Sequence, residues 1–182
     1  MKRGLLLSMV LSIAGVLLVS TPAGAFERQW HAGAGLGISA YPRYYPVGPA
    51  LGLNAAYGIS DVFDLKLELL GSDHSYSADP GLAPAKAVPF SAVLGLSYKL
   101  DVLQWIPYFA LLGGYSHISG ALPTAEPFRR DDAIAAVVLG LDYAVNRSFG
   151  LGVSLRTDMR LLAWSEGEAV TSMLRAEYHW GF

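Results

Sequence analysis

Apolar and polar residues alternate along most of the chain that follows residue 25. In the segment FDLKLELL, for example, every second residue from Phe63 is apolar, and the residues between are Asp64, Lys66 and Glu68. A period of two is typical of β-strands, because successive side chains point to opposite faces of a sheet. The pattern predicts eight strands, in the segments QWHAGAGLGISA, PALGLNAAYGI, FDLKLELL, PFSAVLGLSYKL, PYFALLGGY, IAAVVLGLDYA, FGLGVSLRTD and TSMLRAEYHWGF.

The fifth of these segments is apolar on both faces, so alternation alone does not identify its outward side chains. We assign Tyr108, Ala110 and Leu112 to the outward face. This assignment places His117 and Ser119, where the same strand enters its loop, in the inward phase.

The connections between the strands alternate in length. The second, fourth and sixth are short, at about 60–62, 101–105 and 145–148. The first, third, fifth and seventh are longer, at roughly 41–47, 71–86, 116–132 and 159–169. Short periplasmic turns and longer outer loops are typical of outer-membrane barrels. The expected fold is therefore all-β, an eight-stranded antiparallel up-and-down transmembrane β-barrel with both ends of the chain on the periplasmic side.

The sizes of the residues on the two faces indicate which face is outside. The apolar face carries Leu, Tyr, Trp and Phe, whereas the polar face is rich in Gly and Ser. Bulky aromatic side chains on every strand would overfill the interior of a small soluble barrel. A Lys or Arg that faces lipid at mid-membrane costs about 2–4 kcal/mol, so the charged face is expected to line the interior.

The predicted interior charges are expected to neutralise one another and to fill the lumen. They are Asp64, Lys66, Glu68, Lys99, Asp142, Arg156, Asp158, Arg175 and Glu177, with His31 and His179 nearby. Aromatic residues near the strand ends predict girdles at the membrane interfaces. These are Trp30, Phe63, Phe90, Tyr98, Tyr143, Phe149 and Trp180.

The first 25 residues have the layout of a secretory signal peptide rather than of a membrane anchor. Lys2 and Arg3 precede the apolar stretch GLLLSMVLSIAGVLLV, and Ala23-Gly24-Ala25 supplies an A-x-A cleavage motif. The apolar run is short for a membrane span, and no stop-transfer charge cluster follows it. We predict a cleaved signal peptide at residues 1–25 and a barrel domain at residues 26–182.

The composition of the chain narrows the class of protein further. Apolar residues make up 53% of the chain, yet after residue 25 no apolar run approaches the 18 or so residues of a spanning helix. Without Lys2 and Arg3, 11 of the 13 basic residues remain against 15 acidic ones, a formal charge of −4 that argues against nucleic acid as a partner. The chain has no cysteine, so disulfides are excluded.

The whole segment from Phe26 to Phe182 resembles the small eight-stranded outer-membrane β-barrels of Gram-negative bacteria, of the OmpA transmembrane-domain and OmpX type. The resemblance rests on the strand count, the terminal Phe and the segments YGISDVFDLKLELL, LGLSYKLD and IPYFALLGGY. It implies a monomer in the bacterial outer membrane, with its loops at the cell surface and an inward charge network. Membrane lipids and lipopolysaccharide are its expected partners. No peptidoglycan-binding domain follows the last strand, so we do not expect the cell-wall tethering role of full-length OmpA.

The aromatic residues at the end of the chain resemble the C-terminal signal that the bacterial barrel-assembly machinery reads. They are Tyr178, Trp180 and Phe182. This resemblance implies that the assembly machinery is a further partner during insertion.

The expected function is structural or interactive, in a barrel whose polar lumen is plugged. A narrow ion or solute channel is the alternative. The polar, turn-rich loops either cover the barrel mouth or mediate adhesion or ligand binding. No metal spacing, phosphate loop or nucleotide fingerprint occurs, so no cofactor is expected.

A second alternative is a lipid A-modifying enzyme. The segment SHISG contains His117 and Ser119, and it resembles the His-x-Ser motif of the eight-stranded PagL-type deacylases. In such an enzyme a His activates the Ser and a downstream Glu, here Glu126 or Glu166, orients the His. The motif is short, Gly120 stands where that family usually has Asn, and the inward phase directs the pair away from lipid. We therefore expect no enzymatic activity.

Overall fold

The protein is described by a computed structural model that covers residues 28–41, 45–76, 85–100, 102, 104–121, 127–162 and 168–181. The predicted signal peptide and Phe182 lie outside these residues. The described residues form nine strands. They are β1 (Trp30–Tyr41), β2 (Tyr45–Gly58), β3 (Phe63–Ser72), β4 (His74–Tyr76), β5 (Ala85–Lys99), β6 (Trp105–Ala121), β7 (Pro127–Asn146), β8 (Phe149–Arg160) and β9 (Ala169–Trp180).

The strands form one closed antiparallel barrel. Apart from β4, each strand pairs with its neighbour along the chain, β3 pairs with β5, and β1 pairs with β9. The three-residue β4 follows β3 after Asp73 and pairs with the outer part of β5, so β3 and β4 together form one of eight wall elements. The predicted eight-stranded up-and-down barrel is confirmed, and β4 is a short addition within a segment predicted as loop.

The barrel closes where its first and last strands meet, a junction that we call the seam. Trp30 pairs with Trp180 and His31 with His179, and the ladder continues to Ala40 and Val170. Closure pairs the first strand with the last, which is a requirement in hydrocarbon, where unpaired backbone groups cannot bond to water.

Two of the strands extend further outward than predicted. Most of the segment predicted as the loop 116–132 belongs to β6 and β7, which stay paired up to Ala121 and Pro127. A transmembrane strand needs about 9–11 residues. Counted from Trp105 and Tyr143 at the short-turn end, that length ends near Tyr115 and Ala133, so the outer parts of this hairpin project beyond the membrane.

The outward side chains form an apolar belt around the barrel. Leu36, Leu51 and Leu174 are more than half exposed, as are residues on other strands. The belt ends in aromatic pairs at the short-turn end, a girdle of the predicted kind. The ring centroids lie 4.8 Å apart for Trp30 and Tyr57, 4.9 Å for Trp105 and Tyr143, and 5.3 Å for Phe63 and Tyr98. No helix among the described residues is long and apolar enough to cross a membrane.

The outward assignment of Tyr108, Ala110 and Leu112 was wrong. All three are at least 95% buried inside the barrel, whereas Leu111 is 56% exposed and Tyr115 48%. Because β6 is apolar on both faces, its sequence does not indicate which face points outward. The facing is set instead by which side chains pack in the barrel interior. The inward residues of β6 pack with Val93, Ile134, Ala136 and Val138 into an apolar layer.

Candidate functional site

The nine predicted interior charges all lie inside the barrel, as the alternation of β3, β5, β7, β8 and β9 requires. Asp64, Lys66 and Arg156 are at most 3% exposed. Every one of the nine belongs to an ion pair with another member of the set. We call this set the interior network.

Arg156 is the centre of the outer half of the interior network. Its Nε donates to Asp158 Oδ1 at 2.6 Å and its Nη2 to Asp158 Oδ2 at 3.0 Å, which makes a bidentate pair. Nη2 also donates to Ser91 Oγ at 2.9 Å, and Nη1 reaches Glu68 Oε2 at 3.5 Å. These contacts join β8 to β3 and β5 across the lumen.

Arg175 is the centre of the inner half. Its guanidinium donates to the Tyr108 hydroxyl, to Glu177 and, at 3.3 Å, to Asp142 Oδ2. Asn54 Nδ2 donates to the same carboxylate oxygen of Glu177, Oε1, at 2.5 Å. The inner half thus connects β9 to β2, β6 and β7.

The two lysines complete the interior network. Lys66 Nζ lies 3.0 Å from Glu68 Oε1, and Lys99 Nζ lies 2.5 Å from Asp64 Oδ2. Lys66 also sits 4.2 Å above the centroid of the Tyr108 ring, a cation–π distance. The Tyr108 ring occupies the space that a side chain at Gly140 would need. Sequence reasoning missed the contribution of Tyr108 because it assigned this residue to the opposite face.

A cavity of about 20 Å³ lies between the two halves of the interior network, lined by Gly52, Asn54, Glu68, Arg156 and Arg175 among others. That volume is about the size needed for one water molecule.

Two histidines lie at the short-turn end of the lumen, on either side of the seam. The ring centroids of His31 and His179 are 4.4 Å apart. His179 Nε2 lies 3.6 Å from Glu177 Oε2, a distance too long for a hydrogen bond. These two histidines were predicted only to lie near the charges, and their direct pairing across the seam follows from the β1–β9 register.

A second polar cluster lies on the outer wall, on the projecting hairpin of β6 and β7. His117 Nδ1 lies 2.6 Å from Asp131 Oδ1, and the Tyr115 hydroxyl donates to the same oxygen. The hydrogen bond from His117, and to a lesser extent the one from Tyr115, holds the pKa of the Asp131 carboxyl below its usual range. Ser119 follows His117 by two residues and shares its face.

The inward phase predicted for His117 and Ser119 was wrong, for the same reason as the facing of Tyr108. The side chains of Tyr115, His117 and Ser119 point out of the barrel. The carboxylate opposite His117 is Asp131, its register partner on β7. Glu126 and Glu166, which were predicted for that role, lie outside the described residues.

An apolar groove of about 550 Å³ runs along the outer wall beside this cluster. It is lined by side chains of β1, β2, β3 and β5, including Leu36, Leu51, Val88 and Phe90. Val88 and Phe90 are the register partners of Ser119 and His117. The groove therefore ends next to the His117 cluster.

Comparison with known proteins identifies the fold through solved structures. No protein-family model matches the chain, and no curated protein matches it. Solved structures match over 85% of its length. Ail, the attachment invasion locus protein of Yersinia pestis, solved with the heparin analogue sucrose octasulfate, is 14% identical, is covered in full and superposes with a TM-score of 0.63.

The N-terminal β-barrel domain of Pseudomonas aeruginosa OprF is 17% identical, with 98% of that chain covered and a TM-score of 0.58. Neisserial surface protein A is 16% identical, with 96% covered and a TM-score of 0.55. The chain has the fold of the small outer-membrane β-barrels. An outer-membrane barrel needs an apolar outer wall and charged side chains that turn inward, away from lipid. This chain has both, and its location is the outer membrane.

Proposed function

We propose that this outer-membrane barrel is a structural and surface-interaction protein whose lumen is plugged. The observation that supports the proposal is the interior network, in which nine inward charges pair along single strands and between strands, as Arg156 does with Glu68 and Arg175 with Asp142. An ion entering the lumen would have to separate these pairs. Separating a pair would leave buried charges without partners, which is unfavourable, so the paired arrangement opposes the passage of ions.

The proposed partners are the lipids and lipopolysaccharide that surround the barrel. The apolar belt suits acyl chains, and the exposed Arg129 on the projecting hairpin suits anionic groups. Ail was solved with a sulfated ligand. By analogy we propose that the outer end of this barrel contacts anionic groups at the cell surface, and that the barrel acts as a monomer.

Planar-bilayer recording tests the plug. We expect the purified barrel to give no steady current. The double variant Lys66→Ser/Tyr108→Ser removes the two side chains stacked across the inner lumen, and it should conduct if it folds. A steady current through the wild-type barrel would support a narrow channel instead and would overturn the plug.

A second candidate function, hydrolysis of an acyl ester of an outer-leaflet lipid, is favoured by the outward His117 cluster. Ser119 would attack the ester carbonyl while His117 takes its proton, with the ring oriented by Asp131 through Nδ1. His117 would return the proton to the departing alcohol, and water would then hydrolyse the acyl-Ser119 ester to release the fatty acid. Successive same-face residues of a strand lie about 7 Å apart, so side-chain rotation can bring the Ser119 hydroxyl towards the free edge of the ring. The adjacent groove, which ends at Val88 and Phe90, suits an acyl chain.

Mass spectrometry of lipid A from cells that express the barrel tests this candidate. If the barrel is a hydrolase, the wild type shortens the acylation pattern and Ser119→Ala restores it. His117→Gln should slow the reaction by about 10²–10⁴-fold, the usual contribution of a general base. Ser116→Ala is the matched control, because Ser116 is buried in the interior. The same lipid A pattern with and without the wild-type barrel would eliminate the hydrolase.

A further inference from the structure

We propose that His31, His179 and Glu177 bind a divalent transition-metal ion, such as Zn²⁺, at the short-turn end of the lumen. All three residues are at least 93% buried. Their ligand atoms lie within 4.8 Å of one another. Imidazole and carboxylate are ligands that Zn²⁺ accepts together, in sets of two His and one Glu.

The distances are close to those of a metal centre. Bonds of 2.0–2.2 Å in a tetrahedral site place neighbouring ligand atoms roughly 3.3 Å apart. Glu177 Oε2 and His179 Nε2 are 3.6 Å apart, so they approach each other without being hydrogen-bonded. His179 Nε2 has no hydrogen-bond partner among the described residues, although the residue is 93% buried. The three ligand atoms, which lie within 4.8 Å of one another, would have to move closer together to share one ion.

Glu177 is oriented as a metal ligand by its neighbours. Asn54 and Arg175 both donate to Oε1, which leaves Oε2 on the side of His179. Outer partners of this kind fix the direction of a ligating carboxylate and raise metal affinity.

The charge of the interior network also favours a cation. The network contains five carboxylates and four basic side chains, so its formal charge is −1 when His31 and His179 are neutral. The nearest basic groups of this end are already paired, Lys99 with Asp64 and Arg175 with Asp142 and Glu177. The network therefore carries no excess positive charge that would repel a divalent ion bound to neutral imidazoles.

The position of the site suggests what the ion does. His31 belongs to β1 and His179 to β9, and they face each other in the ladder that closes the barrel. A metal ion bound to both would link the first and last strands directly. Three protein ligands leave a fourth position for a water molecule.

Equilibrium dialysis of the folded, EDTA-treated barrel against Zn²⁺ tests the proposal. We expect one Zn²⁺ per chain, and loss of that binding in His31→Gln and in His179→Gln. Asn54→Ala should weaken the binding by about 10–100-fold, as outer-partner mutations do. The other two histidines of the chain supply matched controls, so His74→Gln and His117→Gln should bind Zn²⁺ like the wild type.

Absence of saturable binding, or equal binding by the wild type and both ligand variants, would overturn the proposal. X-ray absorption of the zinc-loaded wild type needs no variant to fold. Scattering from two imidazoles supports the site, and a zinc spectrum without imidazole excludes it. Zinc should also raise the temperature at which the barrel loses its heat-modifiable gel mobility, and His31→Gln should abolish that rise.

Discussion

Replacing Arg156 by Met probes how completely the interior network is shielded from water. The change removes the two hydrogen bonds to Asp158, at 2.6 and 3.0 Å, and the contact with Glu68 at 3.5 Å. Because the Asp158 side chain is only 10% exposed, its carboxylate is left without a partner in a poorly solvated space. Breaking a buried pair in this way costs about 3–5 kcal/mol. The folding equilibrium should therefore fall by about a hundred- to several-thousand-fold.

Two further variants isolate this effect. Arg156→Met/Asp158→Leu removes both charges, and it should recover most of the lost stability, since replacing a buried pair by apolar residues is often neutral. Lys86→Met breaks the pair with Asp73 at the outer end, where the two side chains are 53% and 47% exposed. Exposed pairs contribute about 0–1 kcal/mol, so this matched control should unfold much like the wild type.

The assay is urea unfolding of the barrel in lipid vesicles, followed by gel mobility and by tryptophan fluorescence. The interior network is shielded if Arg156→Met loses several kcal/mol while Lys86→Met loses at most about one. Equal, small losses in both variants would refute the reasoning, because they would mean that water enters the lumen freely and solvates Asp158. In that case the plug would also lose its physical basis.

Gly140→Ala should destabilise the barrel by about 1–3 kcal/mol in the same urea assay, because the new methyl group overlaps the phenol ring that fills the space beside it. Gly71→Ala meets open space, so it should change the stability by less than about 0.5 kcal/mol; equal losses would contradict the packing described for the lumen. The carboxyl of Asp131, followed by carbon NMR during an acid titration, should protonate below its usual pKa in the wild type and closer to it in His117→Gln, since the hydrogen bond from His117 stabilises the charged form. That stabilisation is present above the ordinary carboxyl pKa and is lost as the pH falls through the lowered value; the same titration in both proteins would exclude the pair in solution. Deletion of Phe182 should reduce the amount of assembled barrel in the outer membrane more than any single loop substitution, and normal insertion of the truncated chain would count against the proposed C-terminal signal.

The strands and their facing were predictable wherever a polar face contrasts with an apolar one. FDLKLELL is the clearest case, because Asp64, Lys66 and Glu68 cannot face lipid. The interior network followed from the same rule, since every charged residue on a strand within the membrane must turn inward. Its pairs between strands did not follow, because they depend on side chains that meet from strands distant in sequence, such as Arg156 and Glu68.

Strand β6 shows where the rule carries no information. PYFALLGGY offers two apolar faces, and the choice between them depends on which side chains fill the interior beside Gly140 and Val138. The rule that polar strand residues turn inward also fails outside the membrane. Strand pairing continues there, but the outward side chains can be polar. The pairing of His117 with Asp131 was hidden for that reason within a segment that reads as a loop.

The seam has a consequence for the rates of folding and unfolding. Trp30 and Trp180 are about 150 residues apart, whereas Ala144 pairs with Gly150 across a tight turn. The entropic cost of closing a chain segment grows with the logarithm of its length. The first contact between β1 and β9 therefore costs about 3 kcal/mol more than the first contact in such a hairpin. The β1–β9 ladder is therefore expected to form last and to open first. Interactions that are made only there act mainly on the unfolding rate, and a link between His31 and His179 would lengthen the lifetime of the barrel more than it would speed its assembly.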